Sequence, residues 1–276
     1  MEEAWPTLLE EKVGRGVLNF GVARYGTDQV LLRLEKEYDR VPSATVLLCI
    51  MTENINRCVM LYRGFYHAGF GLPKPRFVLK DDELELYNPF ATADAVRDIL
   101  LEHPDRLASM AREHDHWFRE KQLFGTVWRL RFPYSVQLAG RVPFLLSRVR
   151  IRMTNISPHV KLYEPEAEAF KIMQGIVRRF RAFADQRGFR GLVVILPAPR
   201  DVYRLAEKGE VTYQVLHEFL AAEGIPFVDV IGPFSKQEDI PSLFFSRKDH
   251  YNRKGNEIVA HEVSRFLREE GAVPGG

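Results

Sequence analysis

Apolar positions along the chain follow two patterns: short continuous runs, and longer stretches that repeat every three or four residues. The run Ala44 to Met51 is continuous and of strand length, which predicts a strand covered on both faces; Gly191 to Leu196 predicts another buried strand and Ile225 to Ile231 a further one. A shorter run, Val17-Leu18-Asn19-Phe20, predicts a further strand that ends in the turn Gly21 to Gly26. Helical spacing predicts a short helix over 6–13 opened by Pro6, and a second from Asp28 with Leu31, Leu32 and Leu34 turned inward. It also predicts a long helix over 166–187 stopped by Gly188, another over 213–223 stopped by Gly224, and a closing helix over 256–269. Strands alternating with helices in this way predict an α/β fold built on a doubly wound parallel sheet. Its ligand site then lies at the carboxyl ends of the strands.

The middle of the chain breaks that rhythm. Residues 52–90 are mostly irregular, except that Arg76 to Leu79 alternates, Asp81-Asp82 suits a turn, and Leu84 and Leu86 return as the partner strand of a hairpin. From Ala93 to Met153, helical patterns are interrupted by Pro104, Pro133 and Pro143 and carry many aromatic side chains. The expectation is one domain spanning 1–276 with an inserted irregular and helical region, 56–160, acting as a lid.

Composition narrows the function classes. With 46% hydrophobic residues, 276 residues bury a full core. A net charge of +2 gives no general case for nucleic acid as a partner. Cys49 and Cys58 are too few for a disulfide framework and read as buried thiols. No apolar run reaches the roughly 18 residues of a membrane span, which argues against membrane association. The opening residues Met1 to Pro6 lack the features of a signal peptide, so the default expectation is the cytoplasm. No cofactor or metal is expected.

The most specific chemical signal is Asp249-His250-Tyr251-Asn252-Arg253-Lys254-Gly255-Asn256, a histidine in a loop just before the last helix. Imidazole exchanges protons near neutral pH, and Asn252 and Gly255 suit a fixed turn that would hold the ring. This segment resembles the last motif of the SGNH/GDSL serine hydrolases, a histidine loop followed by a glycine and a helix. Asn19 to Gln29 looks like that family's second motif, where a strand end and turn supply a backbone N–H to the oxyanion hole. Thr52-Glu53-Asn54-Ile55 is similar to the third motif, in which an asparagine side chain donates to the same oxyanion.

The resemblance implies a flavodoxin-like fold and either ester hydrolysis or O-acyl transfer on a small-molecule or carbohydrate ester. His250 would be the base, Asp249 its carboxylate neighbour, and Asn54 with the turn Asn19, Gly21 and Arg24 would form the oxyanion hole. The sequence departs from the family in three places. The Gly-Asp-Ser motif that carries the nucleophile is missing, which leads us to expect a truncated chain. Arg24 stands where the family has a glycine, and Asp249 directly precedes the histidine instead of lying two or three residues before it. In the flavodoxin-like order the first strand lies inside the sheet. Four buried side chains lost with it would cost about 6–12 kcal/mol, which rivals a domain's whole stability of about 5–15 kcal/mol.

Other signals have simpler explanations. His114-Asp115-His116 offers metal-ligand types but reads as a solvated helix face. Residues 141–152 form a basic amphipathic stretch that fits a packed lid or, less simply, a membrane surface. Lys74 and Arg76 flank a stiff turn and suit either a substrate anion or loop solubility. Asp201 and Arg204 lie at a sheet edge where ligands bind in such folds, but helix-start charge is the simpler account. The reading from another class is a non-catalytic binding or scaffold protein that keeps the fold.

Overall fold

A computed structural model of the chain describes residues 4–65, 72–118, 159–246 and 250–273, together with Ser135, Val142 and Leu146. Among them run α1 (Trp5–Val13), α2 (Thr27–Glu37), β1 (Thr45–Met51), β2 (Arg76–Lys80), β3 (Glu83–Tyr87), α3 (Pro104–His114), α4 (Glu168–Arg187), β4 (Arg190–Leu196), α5 (Pro199–Lys208), α6 (Gln214–Ala222), β5 (Phe227–Asp229) and α7 (Arg253–Glu269). Shorter helical segments are named below by their residues. The chain divides into two compact units, Met1–Ile55 with His159–Gly276, and Asn56–Pro158.

The first unit is built on a parallel sheet in the order β1-β4-β5. β4 is its central strand, and Leu192 to Leu196 are all buried because partners flank it and helices cover it. β1 pairs with β4 from Thr45↔Arg190 to Met51↔Leu196. Its Leu48 and Ile50 are buried, whereas Leu47, Cys49 and Met51 on the other face are only half-buried. Among the described residues β1 has a ladder partner on its β4 side only. The long helix α4 buries Phe170, Ile172, Met173, Ile176, Val177 and Phe180, the face that its spacing predicted. α1 and α7 lie together, and Arg268 donates to the Lys12 carbonyl at 2.9 Å.

The second unit contains the hairpin β2–β3. Its turn residues Asp81 and Asp82 both have positive φ, 51° and 61°, as a two-residue turn matched to the strand twist requires. Leu61, Phe90, Ile99 and Leu107 form a buried cluster within this unit.

Three expectations need correction. Val17 to Phe20 forms no strand among the described residues, because no ladder partner satisfies it; Leu18 and Phe20 stand 60% and 43% exposed. The strand expected over 225–231 contracts to β5, since the chain turns at once into the helical segment Ile231–Ser235. The last helix begins at Arg253, three residues early, because Asn252 caps it: its side-chain oxygen accepts the Gly255 N–H at 3.3 Å.

Candidate functional site

The carboxyl rim of the sheet is held together by side chains that reach across it. Met51 and Leu196 end β1 and β4 side by side. One step beyond, Thr52 Oγ1 accepts the Ala198 N–H at 2.8 Å and donates to Asp201 Oδ2 at 2.6 Å. The adjacent Pro197 carbonyl accepts the Tyr251 hydroxyl at 2.5 Å. Two consecutive residues after β4 therefore hold both the turn that carries Asn54 and the loop that carries His250.

That loop is built locally. Phe244 and Tyr251 pair in an antiparallel bridge, and the Phe245 N–H donates to the His250 carbonyl at 3.0 Å. Asn252 Nδ2 donates to the Ser242 carbonyl at 2.7 Å while its oxygen caps α7. A Cβ at Gly255 would stand 2.5 Å from the Leu243 carbonyl, so only glycine allows this approach. His250 is exposed at the tip. Asp249 lies outside the described residues. Burial pushes the Tyr251 phenol well above its ordinary value, and the carboxylates of Asp229, Asp201 and Glu53 push it further. Glu53 is the neighbour of Asn54, so its charge and the residue beside His250 feel each other across the rim.

Asn54 ends the one-turn helical segment Thr52–Asn54 and is half-buried. In the other predicted element, Asn19 Oδ1 accepts the Gly21 N–H at 2.9 Å, forming a side-chain turn. Arg33 on α2 donates to the Phe20 carbonyl at 3.0 Å and fixes that turn against the helix. Arg24 adopts a φ of 74°, the left-handed region that glycine favours. Gly21 and Arg24 are exposed. The structure joins Asn19 to Gly21, and it joins the Asn54 and His250 loops through residues 197 and 198.

Sequence reasoning missed two carboxylate–imidazole pairs at the same rim. Asp201, in the first turn of α5, is fully buried and receives Thr52, Thr212 Oγ1 at 2.7 Å, and His159 Nε2 at 3.2 Å from both of its oxygens. Burial alone would raise its pKa, but the imidazole of His159 and the two hydroxyls outweigh that and hold it below its ordinary value. At the end of β5, Asp229 Oδ2 lies 2.7 Å from His217 Nε2 and accepts the Tyr213 hydroxyl at 2.8 Å, while Oδ1 accepts the Ile231 N–H at 2.8 Å. Burial, then Asp229 and Asp201, push the Tyr213 phenol well above its usual value. The His217 ring stacks on Phe227 and its side chain is 20% exposed, so this imidazole is oriented and still reaches solvent. His159 is 42 residues from Asp201 in sequence and Thr52 is 149 away, so no local motif announces the first pair. The second had a weak signal, a histidine in the first turn of the helix before an aspartate-ended strand.

The signals set aside resolve within the second unit. Asp115 is buried and accepts the N–H groups of Leu61, Tyr62 and Phe118 at 2.6, 3.0 and 2.8 Å, while His114 packs on Tyr87 and His116 on Trp117. The solvated-face reading is thus wrong at Asp115: the carboxylate closes a loop. Arg76 is fully buried and donates to the carbonyls of Phe77, Val59 and His114, and its charge acts on the Asp115 carboxylate, so it is no solubilising loop charge. Lys74 is buried too, its ammonium 3.1 Å from the Pro75 carbonyl. Residues 141–152 fall outside the described residues apart from Val142 and Leu146. Among the described residues no group of three His, Cys, Asp or Glu side chains could hold a metal ion, and no helix is long and apolar enough to cross a membrane. Desolvation pushes the Cys49 thiol up to about 12, away from the reactive thiolate. A cavity of about 660 Å³ lies elsewhere, lined by Lys12, Gln237, Glu257 and His261 among others; Asn54 and His250 are not part of it.

Compared with known proteins, the chain matches no family model and no curated protein.

Proposed function

We propose that the chain is the body of an SGNH/GDSL-type serine hydrolase with a flavodoxin-like fold, acting by ester hydrolysis or O-acyl transfer on a small-molecule or carbohydrate ester. The observation that carries this reading is the double attachment at the rim: Ala198 N–H holds Thr52, two residues before Asn54, and the Pro197 carbonyl holds Tyr251, next to His250. Two of the three motifs named from sequence thus hang from adjacent backbone groups at the carboxyl end of a parallel sheet, where ligands bind in such folds. The left-handed Arg24 supports the second motif, Asn19 to Gln29, since the family's glycine occupies that position in the turn.

In this reading a serine hydroxyl attacks the ester carbonyl and gives its proton to the His250 imidazole. The tetrahedral oxyanion takes hydrogen bonds from the Asn54 amide and from a backbone N–H of the turn around Gly21 and Arg24. Collapse expels the alkoxide, which recovers the proton from His250. Water or an acceptor hydroxyl then releases the acyl group, with His250 again the base. The resemblance does not place this serine on a residue of the present sequence, where no Gly-Asp-Ser occurs.

The test is a fluorophosphonate probe applied to the chain expressed with any in-frame coding sequence that precedes it. Covalent labelling of a serine there, lost in His250→Ala, is the expected result. A folded protein that takes no label overturns the hydrolase reading in favour of a non-catalytic scaffold.

A further inference from the structure

Asp201 has no part in the mechanism above, yet this wholly buried carboxylate is bonded to three separate segments of the first unit. Two of them are the connections to residues 56–158. Thr52 is the first residue after β1 on the way out, and His159 is the first residue of the unit on the way back. The two connections are also tied to each other, since the buried Tyr163 hydroxyl donates to the Thr52 carbonyl at 3.0 Å.

We infer that Asp201 is a positioning residue: it staples both chain connections to the start of α5 and thereby fixes the turn that presents the Asn54 amide. The Asn54 half of this inference rests on the hydrolase reading; the stapling half does not. The reasoning starts from Thr52. A hydroxyl has one proton to give. Here it goes to Asp201 while the oxygen accepts the Ala198 N–H, so both directions of the group are determined. Threonine is stiff about its first side-chain torsion, so fixing Oγ1 fixes the backbone, and Tyr163 holds the carbonyl of the same residue. Asn54 ends the same helical turn and inherits that placement.

The chemistry at position 201 calls for a carboxylate. Three donors point at it, two hydroxyls and an imidazole N–H, and an ionised carboxylate is an acceptor at both oxygens. Asparagine would turn an NH₂ toward one of those donors. A merely local role is the competing account, because an acidic residue in the first turn also stabilises a helix start. That account confines the consequences to α5.

Amide hydrogen exchange, read by mass spectrometry on the chain as it stands, separates the two. Asp201→Asn and the isosteric Thr52→Val are each expected to raise exchange about tenfold or more in peptides covering 52–55 and 159–163. Thr52→Ser, which keeps the hydroxyl, should stay near the parent, and so should β4. If Asp201→Asn does not fold, Thr52→Val against Thr52→Ser decides alone. An increase confined to 199–208, or one spread evenly through β4, overturns the stapling. No substrate enters this measurement, so a failed hydrolase reading leaves it intact. For the Asn54 half, the upstream-extended chain should show a lower kcat with unchanged KM in Thr52→Val and recovery in Thr52→Ser; an unchanged kcat overturns that half.

Discussion

The Tyr251 hydroxyl donates to the Pro197 carbonyl at 2.5 Å with both groups out of reach of solvent, and this bond holds the histidine loop against the end of β4. Removing the hydroxyl by Tyr251→Phe leaves a buried acceptor without its donor, a loss of roughly 1–3 kcal/mol. Chemical denaturation should show a lower midpoint at unchanged slope. A shift under about 0.5 kcal/mol would mean that Phe234, Phe244 and the ring of Tyr251, which pack on one another, hold the loop by themselves.

Two buried aspartates set opposite acid responses. Asp201 is held below its ordinary value, so its contribution is complete above the unfolded carboxyl value of about 3.9 and is lost as pH falls through the lowered folded value. Burial raises Asp115 in spite of its three backbone donors and Arg76. Its contribution is complete below that unfolded value and is lost as pH rises through the raised folded one. The destabilisation by Asp201→Asn should accordingly shrink as pH falls below about 4, whereas that of Asp115→Asn should be greatest in acid and shrink as pH rises. Urea titrations of both variants across pH 3 to 7 check this, and parallel slopes would contradict it.

These contacts show what the sequence could and could not disclose. β4 was legible because a strand covered on both faces must be apolar throughout, and the Asp81-Asp82 turn because its chemistry is local. The His250 loop was legible for the same reason, with Asn252 and Gly255 both acting within a few residues of the ring. Val17 to Phe20 misled because an apolar run records a tendency to extend, while a strand also needs a neighbour to bond. The Thr52, His159 and Asp201 contacts join three distant stretches, and each residue is individually unremarkable as a threonine after a strand, a lone histidine and a helix-start acid. Only the folded chain brings them together.

His250 is the proposed base, and His217, held by Asp229 and partly open to solvent, is a second imidazole at the rim. In the upstream-extended chain, His250→Ala should abolish fluorophosphonate labelling and His217→Ala should leave it unchanged. Asn54→Ala should lower kcat about 100-fold to 1,000-fold, the usual cost of one oxyanion donor. Labelling that survives His250→Ala and disappears in His217→Ala would move the base to the end of β5.

Arg24 holds a left-handed φ of 74° in an exposed turn, a conformation that costs an ordinary L residue roughly 1–2 kcal/mol and glycine almost nothing. Glycine also has more freedom to lose from the unfolded chain, which offsets part of the gain. Arg24→Gly should therefore raise stability by about 0.5–1 kcal/mol, read as a higher denaturation midpoint. The oxyanion-hole reading uses the backbone N–H of this turn and nothing of the side chain, so kcat for a neutral ester should not change in the extended chain. A loss of kcat would show that the guanidinium itself takes part. A rise in KM confined to anionic esters would give Arg24 a different task, the recognition of acidic substrate.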